Sequence, residues 1–337
     1  MKEKRFKGTI AILLVALFIV VIIASCCGHY HLDPLTCLKL LIIKPFVKTG
    51  DWSELDESVI YGLRLPRIIG AIIVGTCLSL SGASYQSVFQ NPLVSPDILG
   101  VSSGACVGAA LAILLHLPKT FIMIFAFMFG VLTVVLTVTI PKVLKSESNI
   151  MLVLSGIVVG GLTGSAMGII KYIADPRDEL PQITYWMMGS LDGLSYSTIL
   201  FSLVPVCICV FVLMRMSWWI DVISMGEKDA QTLGANVKRI RLITIACSTL
   251  LTATSVCMAG TIGWIGLVIP HFARMFVGTS NTKIVPTAAL LGAIFLLGVD
   301  TIARTVARTE VPLGIITGLI GAPFYAWLLY HQRTRLK

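Results

Sequence analysis

The sequence predicts an all-α, polytopic membrane protein with about ten transmembrane helices in a single domain, residues 1–337. Hydrophobic residues make up 56% of the chain and charged residues only 13%, about half the charged share of a soluble domain. The mean hydropathy is +0.90. Apolar stretches of about 20 residues recur along the whole length, and each is long enough to cross the hydrocarbon core of a bilayer.

The predicted helices follow these apolar runs, and most prolines stand between the runs or at their starts, where they do not break a helix. The first run resembles a signal peptide, but it is long enough to span and many spans follow, so we expect a first transmembrane helix. The expected ranges are 9–27, 67–89, 98–116, 121–140, 150–170, 194–214, 240–259, 263–278, 284–302 and 313–330. The nine cysteines contain no C-x-x-C spacing, so neither a metal site nor a redox pair is expected.

Basic residues set the predicted orientation. With the N-terminus in the cytoplasm, the inner segments hold 16 of the 26 Lys and Arg residues and 6 of the 17 acids. This excess of cations follows the positive-inside rule, so both termini are expected in the cytoplasm. The isoelectric point of 9.2 then reflects topology, and nucleic-acid binding is not expected.

Four arginines at the ends of spans depart from this rule. Arg64 and Arg67 flank a proline in "RLPR", at the outer lip of the second span, and Arg304 and Arg308 follow the ninth span in "DTIARTVARTEVPLG". One interpretation is that they snorkel or pair with Asp300 and Glu310. The other is that outer cations serve a function. The residues alone leave both open.

Glycines recur every four residues in two spans. Gly156, Gly160, Gly164 and Gly168 form one nearly straight stripe on a helix, and 100, 104 and 108 form another. Such stripes let membrane helices approach closely. The alternative is a smooth wall of a pathway, over which a bulky solute slides. Both interpretations can hold on neighbouring faces.

Two interrupted segments lie where a solute route is expected. The segment "FQNPLVSPDILG" places two prolines between spans on the inner side, and "GLVIPHFARM" places Pro270 inside a span. Interrupted helices in transporters often mark the substrate route. His271 and Arg274 follow, and an ionisable pair within the membrane suggests a function. Arg274 could equally snorkel to the cytoplasmic headgroups.

The longest inner loop contains "SMGEKDAQTLGANVKRIR". Between its glycines we expect a short exposed helix on which Ala230 and Leu233 form a small apolar knob among charged neighbours. Such a knob suits docking into a groove of a partner protein, whereas a helix lying on lipid would carry mostly cations on its polar face. The residues of this loop that we single out are Gly226, Glu227, Asp229, Ala230, Leu233 and Gly234.

The sequence shows no motif that could supply the energy for transport. It contains no Gly-Lys dipeptide, so a phosphate-binding G-x-x-x-x-G-K-[ST] loop is impossible. No paired carboxylates or histidines form a proton relay, and no metalloprotease or nucleophile-elbow motif is present. We therefore expect a transport subunit and no enzyme, with no cofactor bound by this chain.

Together these residues resemble the permeases of binding-protein-dependent ABC importers for iron–siderophore complexes, haem and vitamin B12, the FecCD/BtuC type. The similarity runs from about Arg64 to the C-terminus, in the order and spacing of that family. The motifs that carry it are "RLPR", "NPLVSPDILGVSSGA", "YWMMGSLDG", "MGEKDAQTLGANV", "GTIGWIGLVIPHFAR" and "EVPLGIITGLIGAPFYAWLL".

The resemblance implies the type II ABC importer permease fold in a bacterial or archaeal cytoplasmic (inner) membrane. It implies a homodimer around a central pathway, two ATPase subunits that use ATP, and an extracytoplasmic substrate-binding protein. Arg64, Arg67 and Arg304 match arginines that receive acidic side chains of the binding protein, so we expect partly exposed cations. The loop 226–234 matches the element that couples to the ATPase. The positions that match the gate and a pathway-lining helix are Asn91, Pro92, Leu93, Gly156, Gly160, Gly164 and Gly168, and the interrupted helix adds Pro270 and His271 as pathway candidates.

The solute stays open at this stage. A metal chelate is favoured because the expected pathway is wide and mostly neutral. The alternative is the same importer carrying an oxyanion such as molybdate or tungstate, which would want cations or donors, and only His271 and Arg274 offer them. A more distant alternative is an ion-gradient-driven transporter, for which Asp300 is the only candidate acid.

Overall fold

The computed structural model describes residues 2–28, 30–44, 46–47, 50, 52–145, 148–307 and 309–335. Seven helices in this part of the chain are long and apolar enough to cross a membrane. They are α1 (Lys2–Cys26), α4 (Leu65–Val88), α6 (Lys119–Val143), α7 (Asn149–Ile173), α9 (Tyr196–Ser224), α11 (Val237–Ala259) and α13 (Asn281–Thr305). Three shorter apolar helices are α5 (Val101–Leu114), α12 (Ile265–Val277) and α14 (Leu313–Arg335).

Each of the ten predicted helices corresponds to one of these, so the predicted all-α membrane fold is confirmed. The described residues contain no strand. Four short helices lie outside the ten predicted spans. One of them is the short helix that the sequence predicted in the inner loop, and the other three were not predicted. They are α2 (Pro34–Ile42), α3 (Glu54–Glu57), α8 (Glu179–Met188) and α10 (Glu227–Thr232).

Local capping explains where α2 and α3 begin. The Asp33 side chain accepts hydrogen bonds from the backbone N–H groups of Leu35 and Thr36, with Pro34 in the first turn. Ser53 and Asp56 form a reciprocal capping box at the start of α3. Both arrangements satisfy N–H groups that a helix start leaves unpaired. A π-helical segment, Ser58–Arg64, then continues directly into α4.

Helix α4 lies at the centre of the molecule. Of the most apolar stretch of its span, 83% is buried inside the chain, against 17% for α1 and 28% for α6, α7 and α9. It packs against α9, α11, α12 and α13. Its sequence mixes aliphatic and small residues on every face, as expected of a helix surrounded by protein. The four less buried helices therefore face lipid or another chain.

Glycines set the closest contacts of α4. A Cβ added at Gly75 would strike the carbonyl oxygen of Gly292 in α13, and one at Gly82 would strike that of Gly266 in α12. In the same way, Gly104 and Gly108 of α5 lie against α6. Close approach of backbones is how membrane helices gain packing energy. The stripe on α5 is thus a packing surface.

A carboxylate joins three helices at the end of the bundle predicted to face the cytoplasm, here called the inner end. Asp221 of α9 accepts hydrogen bonds from Ser280 Oγ at 2.8 Å, from Asn281 Nδ2 at 2.9 Å and from the Asn281 backbone N–H at 2.5 Å. Asn281 Oδ1 in turn accepts from Ser87 Oγ of α4 at 2.6 Å. Because an anion at a helix N-terminus is stabilised by unpaired N–H groups, Asp221 caps α13 from a neighbouring helix.

The glycine contacts predict opposite outcomes for one substitution at two positions of α13. Gly292→Ala places a Cβ against the backbone of α4, and overpacking of this kind costs ~1–3 kcal/mol. Gly298→Ala is the matched control, because nothing lies within 4 Å of its added Cβ. Thermal unfolding of the detergent-solubilised chain should show a lower midpoint for Gly292→Ala only. Equal midpoints for the two variants would contradict the close α4–α13 contact.

Candidate functional site

Five charged residues from distant parts of the chain meet at the opposite, outer end of the bundle. Arg67 lies in the first turn of α4, and Asp300 and Arg304 lie four residues apart in the last turns of α13. Since α4 packs along α13, these helix ends come together although 233 residues separate Arg67 from Asp300. Together with Arg64 and Glu310, these residues are called the outer arginine cluster.

Two acids hold Arg67 within the outer arginine cluster. Its Nε donates to Asp300 Oδ1 at 2.7 Å, and its Nη1 lies 2.7 Å from both carboxylate oxygens of Glu310. Asp300 Oδ2 also lies 3.1 Å from Arg304 Nε, an ion pair without the alignment of a hydrogen bond. Asp300 therefore bridges two guanidinium groups. Among the described residues, which do not include Arg308, Glu310 contacts the guanidinium group of Arg67.

Arg64 and Arg304 also donate to carbonyl oxygens at and just beyond the end of α1. Arg64 donates to the carbonyl oxygens of Ser25 at 2.5 Å, Cys26 at 3.0 Å and Tyr30 at 2.5 Å. Arg304 Nη2 donates to the Ala24 carbonyl at 3.1 Å. The last carbonyls of a helix have no partner within it, and cations are favoured there. The arginines thus cap α1 and tie it to α4 and α13.

The expectation of partly exposed cations is wrong in the isolated subunit. Arg64, Arg67 and Arg304 are only 4%, 7% and 6% exposed. The physical reason is that acids and helix-end carbonyls surround them, which includes the pairing with Asp300 and Glu310 that the sequence left open. Glu310 is the accessible member, with 29% of its side chain exposed. The docking role of the arginines stays a prediction.

The cluster also bears on the ion-gradient alternative. That mechanism needs a carboxylate that binds and releases a proton or a metal ion. Asp300, its only candidate, is 0% exposed and is held by two guanidinium groups. A carboxylate in this setting serves as a structural ion-pair partner, so the site gives the ion-gradient mechanism no support.

The predicted loop helix is present as α10, between Gly226 and Gly234, whose φ angles are +129° and +80°. Glycine is favoured at such positive φ angles. Ala230 is fully buried against Val222 and Ile223 of α9 and its neighbours, while Leu233 is 59% exposed. The expected two-residue knob is therefore wrong: the α10 turn directs Ala230 inward and presents Leu233 alone. Asp229 is exposed, and the Glu227 side chain lies outside the described residues.

The predicted gate residues form an ordered turn at the inner end of α4. The Asn91 backbone N–H donates to the Gln86 carbonyl at 3.0 Å, and Asn91 Oδ1 accepts from the Leu93 N–H at 2.9 Å. A side chain that bonds two residues ahead stabilises a turn. Asn91 and Pro92 are exposed, as is Leu93 at 50%, so this turn presents an apolar side chain beyond the bundle.

The glycine stripe of α7 divides into two parts. Gly156 packs on the carbonyl of Ile98, but a Cβ added at Gly160, Gly164 or Gly168 would meet nothing within 4 Å. On the packed side, Thr163 Oγ1 bonds Ser103 Oγ of α5 at 3.1 Å. The part 160–168 thus offers a smooth, unpartnered strip on the subunit surface, unlike the stripe of α5.

Pro270 and His271 lie in α12, which begins only after the irregular segment 260–264. With 13 residues this helix is ~20 Å long, shorter than the ~30 Å hydrocarbon core. Pro270 is buried and His271 is half-buried. Arg274 Nη1 donates to Gln86 Oε1 at 2.6 Å, so this cation is held against α4.

A cavity of about 210 Å³ lies where the irregular segment meets the 3₁₀ turn Pro96–Leu99. Trp264 lines it with a φ angle of +70°, which is strained for a bulky residue. Asp97, which is exposed, also lines it, and its carboxylate accepts a hydrogen bond from Ser102 Oγ. Sequence reasoning missed Asp97, Trp264 and Asp221. Only Asp97 carried a signal, the helix-start pattern Ser-Pro-Asp.

Comparisons with known proteins agree with this architecture. The model of the FecCD transport family matches residues 13–331. The molybdate import system permease protein MolB of Haemophilus influenzae is 36% identical over 314 residues, 93% of each chain. The hemin transport system permease protein HmuU of Yersinia pestis is 38% identical over 281 residues, 80% of this chain and 83% of HmuU.

A solved structure gives the same result. A chain of a metal-chelate type ABC transporter in an inward-facing conformation has 34% identity and a TM-score of 0.86, and the match covers 96% of this chain and 99% of that one. The all-α architecture, the family match and these relatives lead to one conclusion: the chain belongs to the FecCD transport family and is a multi-pass permease of an ABC importer.

Proposed function

We propose that two copies of this chain form the pathway through which an importer moves a metal chelate across a bacterial or archaeal inner membrane, with both termini in the cytoplasm. An extracytoplasmic binding protein delivers the chelate, and two separate ATPase subunits supply the energy. The observation that carries this proposal is the unpartnered strip of α7, residues 160–168, beside large exposed apolar side chains such as Ile157 and Leu162, each 64% exposed.

A symmetric pair of subunits accounts for that strip. Isologous contacts use the same patch on both subunits, and a strip of glycines allows close approach within a membrane. Where the two α7 helices diverge, the same strip becomes the wall of the pathway. The stripe then serves both as a packing surface and as a pathway wall, at different points along one helix.

The character of α7 favours a bulky, neutral-surfaced solute. From residue 149 to residue 170 the helix contains no Asp, Glu, Lys or Arg. Arg274, one of the two groups that could attract an oxyanion, is engaged with Gln86. An importer of a molybdate-type oxyanion remains the second candidate, because the molybdate permease MolB is 36% identical to this chain.

Reconstitution tests the function as a whole. Proteoliposomes should contain the permease, its ATPase subunit and its binding protein, and uptake of ferric siderophore, haem, cobalamin and molybdate should be measured with and without ATP. We expect ATP-dependent uptake of one chelate and no ATP hydrolysis by the permease alone, because no phosphate loop exists in the sequence. Hydrolysis by the purified chain, or uptake without the ATPase, would contradict the proposal.

Gly160→Leu tests the role of α7. Since nothing lies within 4 Å of Gly160, we expect the thermal stability of the separated subunit to be unchanged. Dimer formation, measured by light scattering, or solute uptake should fall at least tenfold, because a leucine occupies the space needed by a second copy or by the solute. Gly8→Leu is the control, at an equally open position near the start of α1. Normal dimers with normal uptake would remove Gly160 from both roles.

Leu233→Asp tests the coupling role of α10. If Leu233 enters a groove of the ATPase, burying a charge there costs a few kcal/mol, so the complex should lose ATPase binding and uptake. The permease itself should stay folded, because Leu233 is 59% exposed. Ala230→Asp provides the contrast: it buries a charge within the subunit, where Ala230 is 0% exposed, and should lower the unfolding temperature. Should Leu233→Asp bind the ATPase as the parent does, α10 is not the coupling element.

A further inference from the structure

The outer arginine cluster is already occupied before any partner arrives. It contains three arginines and two acids, so its formal charge is 3 − 2 = +1. In the docking role predicted above, its arginines receive carboxylates of the binding protein that the proposed function requires. Yet Arg67 already has a carboxylate on each side, from Asp300 and from Glu310. An incoming carboxylate therefore meets, at Arg67, a guanidinium group whose charge is already balanced by carboxylates.

The two acids differ in how firmly they are held. Asp300 lies within α13, is 0% exposed and contacts both Arg67 and Arg304. Moving it would leave buried charges without partners, which is strongly unfavourable. Glu310 lies in the connection between α13 and α14, has 29% of its side chain exposed, and places both oxygens on the single Nη1 of Arg67.

We propose that docking proceeds by carboxylate exchange. In the free permease Glu310 occupies the place on Arg67 that a carboxylate of the binding protein takes in the complex, while Asp300 keeps Arg67 and Arg304 in position. This inference rests on the proposed docking role of the arginines. Glu310 leaves Arg67 for solvent when the partner's acid arrives, so no charge is left buried and alone.

The exchange gives docking a structural consequence within the subunit. Glu310 is followed by Val311, whose N–H donates to the Ala303 carbonyl at 3.2 Å, and by Leu313, whose N–H donates to the Gly189 carbonyl at 2.9 Å. The pair with Arg67 is thus one of several contacts that fix the connection leading into α14. Releasing Glu310 loosens this connection at the outer end, next to the docked partner.

Glu310→Gln tests the exchange by the sign of its effect. The permease–ATPase complex is placed in nanodiscs, and the affinity of the binding protein that supports uptake in the reconstituted system is measured across a salt series. Removing the competing charge raises the cluster to +2, and a partly exposed pair of this kind should yield a gain of about three- to fivefold at low salt. The gain should shrink at high salt.

Glu57→Gln is the matched control. Glu57 is an ion-paired glutamate in α3, which leads into the outer end of α4. Its carboxylate lies 2.5 Å from Lys44 Nζ, and its side chain is 37% exposed. The same loss of one negative charge there should leave affinity within about twofold, because screened surface charges contribute little at a distance. In an Arg67→Ala background the gain from Glu310→Gln should vanish. Glu310→Asp, which keeps the charge on a shorter side chain, should give a smaller gain than Glu310→Gln.

Each outcome decides the proposal. Affinity that is unchanged or weaker in Glu310→Gln overturns the exchange, since Glu310 would then be neutral or would help to hold Arg67 for the partner. If Arg67→Ala weakens binding in the same assay, the docking surface stands and only the exchange fails. If Arg64→Ala and Arg67→Ala both bind as the parent does, the docking role itself is wrong and the exchange falls with it.

Discussion

Burying three guanidinium groups at one end of a membrane protein is the constraint on which the outer half of this structure depends. Each group must find partners within the chain, because an unpaired buried charge is prohibitively unfavourable. Arg64 finds them in carbonyls at and just beyond the end of α1, Arg304 in such a carbonyl and in Asp300, and Arg67 in two carboxylates. The peripheral helix α1 is thereby attached to the central pair α4 and α13. If the arginines dock an acidic partner, the same pairing determines which acid can move. Glu310 is accessible and can turn into solvent, whereas moving the buried Asp300 would deprive both Arg67 and Arg304 of their shared carboxylate.

At the inner end, hydrogen bonds to a single carboxylate connect the helices. Asp221 of α9 caps α13, and α9 continues through Gly226 into α10, the predicted coupling helix. The 25 residues of α13 extend over ~37 Å. Gly75 and Gly292, which have no side chains, allow this helix to pack closely against α4. Helices α4 and α13 thus form a fixed frame with polar contacts at both ends. The strip of α7 lies outside that frame, and no described residue packs on it at Gly160, Gly164 or Gly168. The proposed function assigns this surface to a second subunit and to the solute.

Much of this architecture could be predicted from the sequence, because hydropathy and length report directly on membrane spans. All ten helices lie where the apolar runs indicated, and the glycines flanking α10 marked its ends. Burial could not be predicted in the same way. Arg67 meets Asp300 across 233 residues of chain, and Ala230 turns inward because of contacts with α9. The stripes of α5 and α7 have the same spacing, yet one packs on α6 and the other is open from Gly160 onward. Such differences depend on which helices become neighbours in the folded chain, and a local sequence pattern does not specify those neighbours.

The most direct test of the account is a structure of the full complex with its binding protein docked, at a resolution that shows side chains. The distance to be measured joins Arg67 Nη1 to the carboxylate of Glu310, which is 2.7 Å in the free subunit. We predict that this pair is separated, that a carboxylate of the binding protein lies on Arg67, and that the 2.7 Å contact from Arg67 Nε to Asp300 is retained. A docked complex in which Glu310 still holds Arg67 would contradict the account.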